Sequence, residues 1–361
     1  MRPIRVLVAA PSLEIVGGQS IQAFRLLEAL KNRPEICVAF QPINPRLSVP
    51  FRPLQRIKYV RTLATEAVYA AELFARLRTA DVVHAFTAGY SSFLLTFVPL
   101  LAAARANRKP IILNYHDGRA ESHFERSPLA IKLARKADRI VVPSGYLAGI
   151  FARFGLKARP IFNMIDASRF SFRERRRVKP YFLHNRGLER HYNPACSLRA
   201  FAIVQRKHPD ATLDVAHDGP LRGELEALAE ALGLNNVRFL GAVDQNRMRD
   251  LYDDAEIYLM SPNADNMPLS ILECFASGVP LVSTAAGGVP YMVEDGRTGL
   301  LVPPNDHQAL ATAALRLIEE EGLALQLAAN GFRECERYQP DRVAKEWCAV
   351  YGELSVLKQR R

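Results

Sequence analysis

The chain has 361 residues, 49% of them hydrophobic and 24% charged, with a formal net charge of +11. At roughly 150 residues per domain this is two or three domains, and the composition excludes a disordered, collagen-like or disulfide-framework protein. Residues 1–180 hold 30 Lys and Arg against 12 Asp and Glu (+18), whereas residues 181–361 hold 18 against 25 (−7). A basic first half suits an anionic partner (nucleic acid, a membrane surface or a phosphorylated substrate) or is a solvated face with no partner.

In chain order, short apolar runs alternate with helical patterns. Ile4–Ala9, Cys37–Phe40, Val82–His84, Ile111–Tyr115, Arg139–Pro143 and Arg159–Phe162 read as buried strands. Alternation with helices predicts βα units and parallel sheets covered on both faces. The pattern breaks at Ser171–Pro180, a charge run ending in proline that reads as a linker. It restarts with Tyr181–His184, Thr212–Ala216, Val237–Leu240, Ile257–Met260, Leu281–Thr284 and Gly299–Val302. Leu221, Leu225, Leu228 and Leu232 mark one face of a helix between two of these strands. A last helix is expected over Pro340–Lys358.

The expected fold is therefore α/β, with two doubly wound parallel-sheet domains, residues 1–173 and 174–339, followed by a terminal helix, 340–361. In such sheets ligands bind beyond the carboxyl ends of the strands, at the point where strand order reverses, and a cleft between two such domains is the default site. The five cysteines are widely spaced with no CxxC pair and read as thiols in a reducing compartment. The N-terminal apolar run ends at Pro11 and reads as a strand rather than a signal peptide. The longest apolar stretch, Phe93–Ala104, falls short of the roughly 20 residues a spanning helix needs.

Three places carry candidate chemistry. Gly17-Gly18 stands between the first strand and a helix, where paired glycines let backbone approach an anionic ligand; neither a GxGxxG nor a GxxxxGK[ST] loop is present. Ser261–Pro280 leads from a strand through Asp265 into a helix starting near Leu269, with Glu273 one turn inside. The amides at that helix start suit a phosphate or sugar hydroxyl, and Glu273, flanked by Leu272, Cys274 and Phe275, needs a partner if buried. Neither histidine nor cysteine spacing suggests a metal site, and no recognition motif accompanies the charge, so nucleic acid is not an expected partner.

Asp265 and Glu273 resemble the E-x7-E pair of retaining glycosyltransferases of family 4. Glu273-Cys-Phe-Ala-Ser-Gly-Val-Pro280, Gly287-Gly-Val-Pro290, Gly296–Pro303, Asp218-Gly-Pro220, Arg238–Gly241, Asn163–Asp166 and Asp81–His84 are similar to further family segments, in order along nearly the whole chain. The resemblance implies a GT-B fold: two Rossmann-like domains, with a nucleotide-sugar donor on the second, the acceptor facing the first, and a last helix that crosses back to the first. It implies that Glu273 holds the donor ribose, that Asp265 lies near the transferred sugar, and that Arg186 binds the diphosphate. It further implies that Asn266, Met267, Pro268 and Leu269 line the donor loop and that His116 faces the sugar. Two positions depart from the family: Asp265 is one methylene shorter than Glu, and Tyr192 stands where most members have Lys. Arg190 is the nearest spare cation.

The expected activity is retaining, hexosyltransferase-like transfer from a nucleotide-diphosphate sugar to a hydroxyl of a glycan or lipid-linked, cell-envelope acceptor, with no cofactor and no metal. The alternatives are a phosphorylase or nucleotide-sugar epimerase of the same fold, or an inactive donor-binding partner protein. Arg52, Arg56, Lys58 and Arg61 beside Leu54, Ile57, Val60 and Leu63 form a basic amphipathic segment of the kind that favours anionic membrane surfaces. A cytoplasmic protein, peripheral on the inner face of the membrane, is the expectation.

Overall fold

A computed structural model describes residues 2–13, 17–45, 68–69, 72–73 and 75–359. In chain order the elements are β1 Ile4–Ala10, α1 Gly18–Lys31, β2 Ile36–Pro42, β3 Val82–Thr87, α2 Tyr90–Ala106, β4 Ile111–Tyr115, α3 Ala120–Arg126, α4 Pro128–Ala134, β5 Arg139–Val142, α5 Gly145–Arg153 and β6 Ala158–Pro160. There follow β7 Tyr181–His184, α6 Pro194–Lys207, β8 Thr212–Val215, α7 Arg222–Ala231, β9 Val237–Phe239, α8 Gln245–Asp254, β10 Ile257–Met260, α9 Leu269–Ala276, β11 Leu281–Thr284, β12 Leu300–Val302, α10 His307–Glu319, α11 Leu323–Glu334 and α12 Pro340–Gln359.

The chain divides into two compact units, Met1–Met164 with Pro340–Arg361, and Ile165–Gln339. Each holds a six-stranded sheet. The orders are β2-β1-β3-β4-β5-β6 and β12-β11-β10-β7-β8-β9, and the strand pairs are parallel. Order reverses between β1 and β3 in the first sheet and between β7 and β10 in the second, so each sheet has one switch point.

The first unit shows why its strands read as unbroken apolar runs. Leu7, Ala9, Val83 and Ala85 face one core layer with Phe93 and Phe97 of α2. Val6, Val8 and Val82 face the other, where α1 supplies Leu26 and α12 supplies Trp347, Tyr351 and Leu354. Residues alternate between the two faces of a strand, so both alternate sets must be apolar when both faces are covered. The apolar stretch Phe93–Ala104 lies in α2, where Phe93, Phe97, Leu100, Leu101, Ala103 and Ala104 are buried while Leu95 and Val98 are exposed. The segment 52–63, expected to be basic and amphipathic, lies outside the described residues.

The structure moves the expected boundary at 173/174 back to Met164/Ile165. The charge run near 175 is not a linker but part of the second unit. Arg175 is 1% exposed. Its guanidinium donates to the carbonyls of Tyr252 (2.9 Å) and Ala255 (2.9 Å) at the end of α8. It also donates to Ser277 and Gly278 (both 2.8 Å) just past α9. Helix C-termini leave carbonyls without intrahelical donors and carry partial negative charge, and guanidinium offers five N–H groups in one plane. One arginine therefore bolts two helix ends together, although burial pushes its pKa down to about 10.

Candidate functional site

The switch point of the second sheet gathers most of the expected donor residues. Arg186 follows β7 directly, and the loop after β10 carries Asp265. Arg186 Nη2 donates to Asp265 Oδ2 at 2.5 Å, and the guanidinium lies 4.2 Å over the Tyr192 ring. Burial disfavours the arginine's charge, but Asp265 more than offsets this, and its pKa is raised. Among the described residues, the buried Arg186 Nε has no hydrogen-bond partner, an orphaned donor that a phosphate oxygen would satisfy. Arg190 stands exposed.

The Asp265 loop is held by backbone. Gly288 N–H donates to Asp265 O at 2.9 Å. A Cβ on Gly288 would collide with the Asn266 carbonyl, and one on Gly287 with the Asp265 carbonyl; Gly287 also has φ +57. Only glycine fits either position. Asn266, Met267 and Pro268 are buried beneath the loop, Leu269 opens α9, and Asn266 N–H donates to Asp265 Oδ1 at 2.9 Å.

Glu273, half-buried on α9, meets a polar network that runs back to β7. The Tyr252 hydroxyl lies 3.1 Å from Ser270 O and 3.4 Å from Glu273 Oε2. It accepts from Asn185 Nδ2 at 2.8 Å, and Tyr258 donates its hydroxyl to Asn185 Oδ1 at 2.6 Å. Burial raises the pKa of both tyrosines, which keeps them as O–H donors. Sequence reasoning missed Asn185, Tyr252 and Tyr258. For Asn185 the signal was its place at a strand end beside Arg186; the two tyrosines gave none.

The other expected residues lie in the first unit. His116 follows β4 and stacks on Phe86 at 5.1 Å between ring centroids. Burial holds its pKa down, to about 3, so the ring is neutral, and among the described residues its Nε2 has no hydrogen-bond partner. It lines a small pocket with Gln22, Asn114, Asn163 and Trp347. Asn114 Nδ2 lies 2.9 Å from Nε2 of buried His84, whose Nδ1 lies 2.8 Å from the Tyr351 hydroxyl. Gly17 caps α1 and Gly18 begins it, both exposed, and a Cβ on Gly17 would meet open space. Nothing among the described residues thus requires glycine at position 17.

Two family models match, one after the other: Glycosyltransferase Family 4 over residues 16–169 and Glycosyl transferases group 1 over residues 168–334. The matches support a GT-B glycosyltransferase family. An exopolysaccharide phosphotransferase of Streptomyces coelicolor is 32% identical over 159 residues, 44% of this chain and 17% of that protein. A D-inositol 3-phosphate glycosyltransferase of Corynebacterium urealyticum is 30% identical over 180 residues, 48% of this chain and 42% of that protein. The chain thus spans less than half the length of these curated relatives. The solved structure of Anabaena HepE with UDP-glucose superposes with a TM-score of 0.78 at 20% identity, covering 97% of this chain and 100% of that one. This last likeness is one of fold, and with the two parallel sheets it makes the fold GT-B.

Among the described residues no group of three or more His, Cys, Asp or Glu is placed to hold a metal ion, and no helix is long and apolar enough to cross a membrane.

Proposed function

We propose that the protein is a retaining glycosyltransferase that transfers a hexose-like sugar from a nucleoside-diphosphate sugar to an acceptor hydroxyl. One observation carries this reading: a half-buried arginine whose Nε is buried and orphaned among the described residues stands at the strand-order switch point, facing the loop that runs into α9. A cationic donor at such a switch point suits a leaving diphosphate, whose charge grows as the glycosidic bond breaks. Glu273, oriented by Tyr252, takes the ribose hydroxyls. Asp265 takes a hydroxyl of the sugar. Attack comes from the face the diphosphate leaves, and the departing phosphate oxygen accepts the acceptor's proton. No metal enters this scheme.

Since HepE is solved with UDP-glucose, that donor heads the list to try. The acceptor is a glycan or a lipid-linked carrier, reached by peripheral docking of the basic first unit on anionic lipid. A panel of nucleotide-sugars, assayed for donor hydrolysis and for transfer with and without EDTA, tests the reading. Turnover of one donor that vanishes in Glu273→Ala supports it. A panel that is inert throughout, turnover that needs free phosphate in place of an acceptor, or isomerised donor without transfer overturns it.

A further inference from the structure

The Arg186–Asp265 pair poses an electrostatic problem for any diphosphate. Asp265 Oδ1 is engaged by Asn266 N–H and Oδ2 by Arg186 Nη2. The backbone beneath is pinned by the Gly288 amide and by the glycine pair that nothing larger can replace. The side chains are therefore what can move. Arg186 lies over Tyr192, and a phenol in that position adds a hydrogen-bonding group but no second positive charge. The two charges at this spot cancel. A diphosphate that takes Arg186 meets a carboxylate already on the same guanidinium, and like charges at such range repel strongly where water is excluded.

We propose that Asp265 is an internal counter-anion that competes with the diphosphate for Arg186, and so makes the site discriminate between the nucleotide-sugar and the nucleoside diphosphate left after transfer. This rests on the donor-site reading above. A complete donor displaces the carboxylate and returns a sugar hydroxyl for it to accept. The spent nucleoside diphosphate displaces it and returns nothing. The pair then weakens the product more than the substrate, which favours release.

Calorimetric titration of the full chain with UDP, ADP, GDP and inorganic pyrophosphate tests this in wild type, Asp265→Asn and Asp265→Glu. Asp265→Asn keeps the shape and removes the charge; it is expected to bind the preferred diphosphate about tenfold tighter, because the fraction of Arg186 free to bind rises. Asp265→Glu keeps the charge and is expected to stay within about threefold of wild type. A gain in affinity cannot arise from misfolding. Unchanged or weaker binding by Asp265→Asn, with wild type still binding, overturns the competition and leaves the donor site standing. Failure of all four probes to bind any of the three proteins overturns the donor-site reading and the competition with it.

Discussion

Arg186 and Asp265 are 79 residues apart in the chain yet meet at 2.5 Å, because β7 and β10, whose ends carry them, are neighbours in the sheet. The pair depends on planar geometry: one arm of the fork holds Asp265 while the ring face of Tyr192 supports the plane. Arg186→Lys keeps the charge and loses both features. Turnover of the donor is expected to fall about 100-fold, measured as kcat/KM for transfer. Wild-type turnover in that variant would remove Arg186 from the site.

Tyr252→Phe deletes the hydroxyl that faces Glu273, Ser270 O and Asn185 Nδ2. The buried Asn185 amide then keeps only the weak acceptor Met248 Sδ, at 3.1 Å, which costs about 1–2 kcal/mol of stability, read by urea denaturation. Glu273 also loses an orienting contact, so KM for the donor should rise several-fold with a smaller change in kcat. An unaltered KM would mean that Tyr252 is structural only.

Gly288→Ala places a methyl group against the Asn266 carbonyl. The loop must shift or the substitution destabilises the fold by about 1–3 kcal/mol, as overpacking does. Donor binding should weaken in parallel, since Asp265 rides on the same loop. Gly17→Ala is the control: open space at its Cβ predicts a melting temperature near that of wild type.

Arg175→Met leaves several buried carbonyls without donors at the ends of α8 and α9. Breaking such a set costs about 3–5 kcal/mol, visible as a lowered denaturation midpoint. Arg176, whose side chain is 79% exposed, should tolerate the same change within about 0.5 kcal/mol.

Acid should destabilise the protein in a defined window. Burial holds the pKa of His84 well below its ordinary value near 6.5 and that of His184 down to about 4. Below pH 6.5 the unfolded chain takes up these protons and the native chain does not, so stability falls as pH drops from 6.5 toward 4. Each histidine contributes a slope of up to about 1.4 kcal/mol per pH unit. His184→Asn should flatten the pH dependence of the melting temperature between pH 6 and 4; an unchanged slope would place the proton uptake elsewhere.

The sequence revealed the strands because buried parallel strands are apolar on both faces, and Ile4–Ala10 and Ile257–Met260 have few other uses. It singled out Asp265 and Glu273 because their spacing and the glycine-rich segment after them form a recognisable pattern. It did not reveal why those glycines are there: the collision between position 288 and Asn266 exists only once two loops are packed. Arg175 was misread for a related reason. A charge run looks solvated in sequence, and only the convergence of two helix ends gives its second basic residue somewhere to be buried. Tyr252 and Tyr258 were invisible because each lies in an otherwise ordinary helix or strand and matters only through its hydroxyl.

The first unit is interrupted in the chain by the second, and this bears on how the protein is made. When residues 2–164 have left the ribosome, Val6, Val8, Leu26 and His84 still lack Trp347, Tyr351 and Leu354. Residues 165–339 contain all the partners of their own sheet before α12 is translated. Synthesis usually completes domains from the N-terminus onward; here the middle of the chain matures first, and the 20 residues of α12 seal the domain that was begun earliest. A nascent chain stalled before residue 340 would therefore carry one unit with its own sheet complete and one whose sheet face, under α1, still misses the cover of Trp347, Tyr351 and Leu354.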